Sequence, residues 1–264
     1  MVIEYNGLLI KKGHDQGVYK AVIYHLRYAG KDWDEMYLSL VRKTVIDTFM
    51  HQLDDEFHLS IDKEVKSWQF NSSDVPQGIE GLVSTLSKNR RGQVNKAFRA
   101  YEKQGDIYIR EAHDVEESLQ FFEGLKQLHT ERWVAKGKPG SFANNTWESF
   151  HRSLITGRFP MGEIQLLEIG TPESVIGYIY SFLWRGRIYV LQTGFNMRIP
   201  KGGQPGYVSH LKAIQYNNEK GFKLYDLLSD DSGYKRILCN QSEKLVSVSL
   251  KRKTIRSMSV SYTH

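Results

Sequence analysis

The sequence predicts an α/β protein: a mixed, mostly antiparallel sheet flanked by helices, with a reduced or partial second lobe of the same kind at the N-terminus. Three observations carry that reading. Residues 164–193 read as three short strands in an antiparallel meander. The run from Tyr178 to Phe195 then breaks into a basic, glycine-rich loop and a helix-like stretch from Tyr207 to Lys220. Residues 1–70 alternate short strand-like and helix-like pieces.

In chain order, Leu8-Leu9-Ile10 reads as a strand, His14 to Arg27 as a helix, Met36 to Val41 as a strand, Lys43 to Leu53 as a helix and Phe57 to Ile61 as a strand. The polar passage from Asn71 to Gly78 reads as a boundary. Ile79 to Gln104 reads as one helix, with Leu82, Val83, Leu86, Val94, Ala97 and Phe98 on one side and basic residues on the other. Ile107 to Arg110 is a strand, Val115 to Ala135 a long helix closed by Gly137-Lys138-Pro139-Gly140, and Trp147 to Ile155 a shorter helix. The meander follows as Ile164–Ile169, Val175–Trp184 and Ile188–Thr193, with Arg185-Gly186 as the hairpin turn. After the glycine loop and its helix come short strands at Lys223–Leu228 and Leu245–Lys251. The organisation expected is a partial N-terminal lobe over residues 1–78 and a C-terminal domain over 79–264 that includes the connecting helix 79–104.

Composition narrows the class. With 264 residues, 40% hydrophobic and 25% charged, the chain is of ordinary globular type. No run of about 18 apolar residues occurs, so no membrane span is expected, and the N-terminus lacks a secretory layout. A cytoplasmic protein is the expectation. The lone Cys239 fits a reducing compartment and reads as a bystander. The net charge of +6 is concentrated in Lys88, Arg90, Arg91, Lys96, Arg99 and Lys103, and again in Lys251, Arg252, Lys253 and Arg256. Between residues 88 and 100 only Phe98 is aromatic, which argues against sequence-specific DNA binding. Asp230 and Asp231 read as a solvated turn, with no third ligand, so no metal is expected.

The loop Arg198-Ile199-Pro200-Lys201-Gly202-Gly203-Gln204-Pro205-Gly206 has the layout of a phosphate cradle. Glycines let backbone N–H groups approach an anion, and the following helix offers unpaired N–H groups and the positive end of its dipole.

The runs Leu86-Ser87-Lys88-Asn89-Arg90-Arg91 and Leu128-His129-Thr130-Glu131-Arg132-Trp133, the pair Pro205-Gly206, and Asp226-Leu227-Leu228 followed by Tyr234-Lys235 resemble the motif set of the CelD/BcsL-like (BioF2-like) acyltransferases. These are a branch of the GNAT superfamily related to the FemAB-type aminoacyl transferases. The resemblance implies a GNAT-like fold and an acyl donor on a phosphopantetheine arm, usually acetyl-CoA or another acyl-CoA, with an aminoacyl-tRNA in the FemAB relatives. The acceptor it implies is an amine on a cell-envelope or polysaccharide precursor. By the same resemblance Gly203, Gln204, Gly206 and Tyr207 line the pyrophosphate loop, together with Arg198, Lys201 and Gly202. The loop departs from the family's usual Gln or Arg, two residues, Gly, any residue, Gly or Ala, and Pro205 removes one backbone donor. Family members also carry a further stretch ahead of Glu4-Tyr5-Asn6, so a homodimer or a partner chain is expected to complete the N-terminal lobe.

Acyl transfer to an amine needs a place for the amine's proton and stabilisation of the oxyanion. His129 is the candidate base, with Glu131 or Asp226 to orient or replace it. Lys235, after Tyr234, is the candidate for neutralising charge at the transfer site, as the resemblance implies. Substrate-binding candidates are Lys88, Arg91, Glu131, Arg132, Trp133, Tyr180, Gln192 and Tyr234. No nucleophilic Cys or Ser motif is present, so direct attack without an acyl-enzyme is expected. Two rival readings are aminoacyl transfer from charged tRNA and a non-catalytic assembly protein with a GNAT-like fold.

Overall fold

A computed structural model describes residues 4–28, 32–53, 55–229 and 233–252. Asp230, Asp231, Lys253 and Arg256, singled out above, lie outside the described residues. The chain divides into two compact units: Met1–Ser67 with Ser229–Asp231 and Ser242–His264, and Trp68–Leu228 with Ser232–Gln241. Eight strands are described, of which β2 (Phe57–Asn71) and β8 (Gln241–Arg252) contribute residues to both units.

In the first unit β1 (Glu35–Arg42) pairs antiparallel with β8. The ladder shifts register between Leu38 and Val41, where Leu40 takes φ +48° and its N–H donates to Ser247 Oγ at 3.2 Å. Helix α1 (Asp15–Tyr28) buries Tyr19 and Ile23 with Phe49 and Leu250, and α2 (Lys43–Met50) buries Ile46 against Val41, Val246 and Val248. Leu8 and Leu9 are exposed and belong to no strand, contrary to the sequence reading.

The second unit has the strand order β2-β7-β6-β5-β4-β3, with β3 (Tyr108–Glu111), β4 (Ile164–Gly170), β5 (Val175–Trp184), β6 (Arg187–Phe195) and β7 (Leu224–Ser229). From β3 to β6 every pairing is antiparallel; β6 and β7 pair parallel. Arg185 and Gly186 both have positive φ, at +48° and +74°, as the expected two-residue hairpin requires. The sheet is the mixed, mostly antiparallel one expected, with helices on both faces.

Period-two alternation sorts the side chains. Leu167, Ile169 and Ile179 join a core with α3 (Gly78–Ser84), α4 (Lys88–Glu102) and α7 (Pro205–Glu219). Ile164, Leu166 and Tyr180 join another with α5 (Val115–Val134) and α6 (Asn145–Arg158). Strand β4 is buried at all seven positions because both faces are covered. Two sequence expectations change here. The single helix over 79–104 is two, broken before Ser87, and β2 runs to Asn71 rather than stopping at Ile61.

Candidate functional site

The parallel pairing of β6 with β7 covers only Arg187–Tyr189 against Leu224–Asp226. Strand β6 continues six residues further without β7 beside it, so the sheet opens at this end. One extra residue on β6, Leu191, sits between the pairs Tyr180↔Gln192 and Ser181↔Val190, a bulge that twists the strand just after its pairing with β7 has ended. Helix α5 packs tightly on this stretch: a Cβ on Gly194 would lie 2.4 Å from the Leu125 carbonyl oxygen.

From the open end of β6 the chain turns into the glycine loop. Asn196 anchors the exit, its side chain donating to the Val175 carbonyl at 3.0 Å and accepting from the Arg198 N–H at 2.9 Å. Gly202 takes φ +89°, and the Gly203 N–H closes a turn on the Pro200 carbonyl at 2.8 Å. Helix α7 then starts with Pro205 at its first position. The missing proline N–H is one the helix would leave unpaired in any case, so Pro205 starts the helix instead of disrupting the cradle. The first helical bond from this end is Val208 N–H to Gln204 at 3.2 Å. The N–H groups of Gly206 and Tyr207 precede it and have no acceptor among the described residues.

The same two residues line a cleft of about 400 Å³, together with Arg132, Phe195, Met197, Ile199, Gly203, Gln204, Pro205 and Tyr234. Its wall is mainly apolar. The Arg132 guanidinium lies 5.9 Å from the Phe195 ring centroid, close enough for a cation–π contact. Tyr234 opens α8 (Gly233–Leu238), a short helix that the sequence reading did not include. Its ring stacks on His210 at 5.7 Å and 16°. His210 is fully buried on α7 and bonds the Tyr225 hydroxyl at 3.0 Å; burial, helped by Lys235, pulls its pKa down to about 3, so Tyr234 rests on a neutral imidazole.

The predicted residues fall into three groups. Gly203, Gln204, Gly206, Tyr207, Arg132 and Tyr234 line the cleft, whereas Lys201 lines a separate basic cavity and Arg198 and Gly202 line neither. His129, Trp133 and Gln192 support the loop after α5. The buried His129 accepts from the Ser141 N–H through Nε2 at 3.3 Å, so its Nδ1 carries the proton and donates to the Thr193 carbonyl, also at 3.3 Å. Burial lowers its pKa, with the Thr193 carbonyl acting against that and Arg132 adding to it. Gln192 donates to Ser141 Oγ at 3.1 Å, and Gly140, at φ +69°, packs against the Trp133 side chain. Glu131 is exposed and accepts from Gln127 at 3.2 Å.

The third group lies away from the cleft wall. Asp226 is fully buried and accepts from Gln69 at 3.0 Å and from the Leu228 N–H at 2.8 Å. Lys235, also buried, donates to the Leu228 carbonyl at 3.4 Å. Tyr180 is fully buried among the aromatic side chains of α5 and α6, its hydroxyl 3.2 Å from His151 Nδ1. Lys88 and Arg91 are exposed at the start of α4. Half-buried Cys239 has its thiol pKa pushed up by burial and by Asp226, with Lys235 opposing, so it is a poor nucleophile. Among the described residues no cluster of His, Cys, Asp and Glu could hold a metal ion, and no helix is long and apolar enough to cross a membrane.

The apolar lining residues Met197 and Ile199 were not singled out from sequence. The signal was present: two large apolar side chains inside a glycine-rich loop have no core to enter and are free to line a cleft.

Comparison with known proteins gives consistent results. A family model described as an acetyltransferase (GNAT) domain matches residues 88–236. No curated protein matches the sequence. Among solved structures, FemX superposes with a TM-score of 0.67 at 10% identity, over 98% of this chain and 82% of FemX. A conserved protein of unknown function from Bacteroides thetaiotaomicron gives 0.59 at 9% identity, over 90% of this chain and 75% of that one. L-PGS from Bacillus licheniformis gives 0.51 at 10% identity, over 85% and 70%. At such identities these likenesses concern the fold alone.

Proposed function

The chain belongs to the acetyltransferase (GNAT) domain family, and from that premise we propose that it moves an acyl group from an acyl-CoA thioester to an amine acceptor by direct attack. On its sequence motifs we place it in the CelD/BcsL-like branch, with an amino group on a cell-envelope or polysaccharide precursor as the acceptor. The observation that carries the reading is the pair of acceptor-free N–H groups at Gly206 and Tyr207, two residues that line an apolar cleft where the sheet parts.

In this reading the donor's pyrophosphate sits on the glycine loop and on the start of α7, where backbone donors and the helix dipole favour an anion. The pantetheine arm follows the apolar wall of Phe195, Met197 and Ile199 towards the gap between β6 and β7. The amine nitrogen attacks the thioester carbonyl carbon, the C–S bond breaks, and the amide forms as the amine gives its proton to water in the open cleft. The sulfur leaves as thiolate and takes a proton from the Tyr234 phenol, which regains one from water. Arg132 supplies positive charge at the cleft wall for the carbonyl oxygen or for an acceptor carboxylate. His129, Asp226 and Lys235 act as positioning residues, holding the loop after α5 and the end of β7.

The test is thiol release. Incubated with acetyl-CoA and a panel of amino sugars and amino acids, the protein should liberate free coenzyme A with at least one acceptor. Silence across several acyl lengths and acceptor classes would sink the proposal.

A further inference from the structure

A second cavity, of about 420 Å³, is also lined in part by the glycine loop. Gly92, Asn95, Lys96, Arg99 and Ala100 line it from α4, Lys103 from the position that caps the helix, and Lys201 from the loop. The α4 positions recur at helical spacing on one face, while Val94, Ala97, Phe98 and Tyr101 bury the opposite face and fix the helix. No carboxylate lines the cavity. None of its four cations has an ion pair among the described residues, in a protein where surface Lys and Arg elsewhere pair repeatedly. Gly92 leaves the cavity's edge open: a Cβ there would meet nothing within 4 Å.

The cavity is tied to the cleft by the loop itself. Lys201 faces the basic cavity and Gly203 the cleft, two residues apart, so the two are separated by at most about 7 Å of chain. Lys96 lies across the apex: a Cβ on Gly202 would stand 2.8 Å from its Cε. A ligand whose pyrophosphate rests on the loop therefore has a cavity lined by four cations beside it.

Resting on the acyl-CoA reading above, we infer that this cavity holds the phosphomonoester of the donor's nucleotide, and that Lys96, Arg99, Lys103 and Lys201 make the protein selective for free acyl-CoA over a carrier-protein thioester. The charge matches. A 3′-phosphorylated nucleotide with a pyrophosphate carries roughly four negative charges at neutral pH. A phosphopantetheine arm attached to a carrier protein brings one phosphodiester, which the loop alone accommodates, and leaves the basic cavity unfilled. The lining favours a compact phosphate group over an RNA backbone, since these cations share one cavity and no aromatic side chain lines it for base stacking.

The test is calorimetric titration of the full chain, and of an Arg99→Gln/Lys103→Gln variant, with coenzyme A and with 3′-dephospho-coenzyme A. Both substituted side chains are exposed, so the variant should fold. The protein should bind coenzyme A about tenfold tighter than the dephospho form, the variant should lose that advantage, and affinity for the dephospho form should not change. Equal binding of the two ligands by the unsubstituted protein would overturn the inference and leave the donor reading standing. Binding of neither would overturn both. If tRNA is retained by the protein and lost by the variant while coenzyme A affinity is unchanged between them, the cavity is an RNA contact and the inference fails.

Discussion

Asp226 and Lys235 hold the same residue from opposite ends: Asp226 Oδ1 accepts the Leu228 N–H at 2.8 Å, and Lys235 Nζ donates to the Leu228 carbonyl at 3.4 Å. Leu228 sits at φ +62°, a conformation that a branched L-residue adopts at a cost of about 1–2 kcal/mol unless its surroundings fix it. The two charged side chains thereby set where the chain leaves β7 ahead of α8.

Removing either group should be felt as stability first. Asp226→Ala strips a fully buried carboxylate from Gln69, the Leu228 N–H and the nearby Arg187, 3.6 Å away, and should cost about 3–5 kcal/mol. Lys235→Met should cost about 1–3 kcal/mol. Urea unfolding checks both, with kcat measured per folded molecule. An Asp226→Asn variant of unchanged stability but abolished turnover would place Asp226 in the chemistry instead.

The glycines of the loop should separate by role. At Gly202, φ +89° and the close approach of Lys96 make any Cβ strained, so Gly202→Ala should destabilise by about 1 kcal/mol or more. At Gly206 a Cβ would rest 3.5 Å from the Phe195 ring, an ordinary contact, and the site is helical. Gly206→Ala should leave the melting temperature unchanged or slightly raised, while it crowds the cradle and weakens coenzyme A binding. Equal thermal effects of the two substitutions would contradict this division.

Tyr234→Phe keeps the ring stacked on His210 and removes only the hydroxyl. Turnover should fall by about 10²-fold with little change in the KM for donor, and the deficit should shrink with thioesters whose thiols have low pKa values, because those leave without needing a proton. By contrast, His129→Asn should raise KM and lower the melting temperature more than it lowers kcat, since both ring nitrogens are already engaged, Nε2 by the loop after α5 and Nδ1 by the Thr193 carbonyl on β6. A loss of kcat at His129 comparable with that at Tyr234 would reinstate it as the base.

The elements most legible in the sequence were those whose pattern is local. The meander, its Arg185-Gly186 turn and the strand, glycine loop, helix succession declare themselves within a few residues. The second half of β2 did not, because its buried positions include Ser67 and Gln69, which no hydrophobic alternation reveals. The break before Ser87 was hidden because apolar spacing continues across it, and α8 is too short to show a period. Within the site, Lys201 and Lys96 are more than a hundred residues apart, and only the packing of α4 beneath the loop brings them to one cavity. Tyr180 looked like a candidate by its type and position; what the sequence could not show is that α6 covers it.

That covering gives the last prediction. His151 on α6 is buried, bonds the Tyr180 hydroxyl at 3.2 Å through Nδ1, and has no partner for Nε2 among the described residues. Burial pulls its pKa down to about 4, so it stays neutral in the folded protein well below the pH at which an unfolded histidine takes up a proton. Between about pH 6.5 and pH 4 the unfolded chain therefore binds the extra proton, and stability falls as the pH falls. By about pH 5 the loss should reach roughly 2 kcal/mol from His151 alone, with His210 acting in the same direction. His151→Phe would strand the Tyr180 hydroxyl and lower stability at neutral pH by about 1–3 kcal/mol, yet it should flatten the acid dependence by His151's share. Urea melts of both proteins at about pH 7 and about pH 5 measure the difference; parallel losses in the two would show that His151 does not remain neutral on folding.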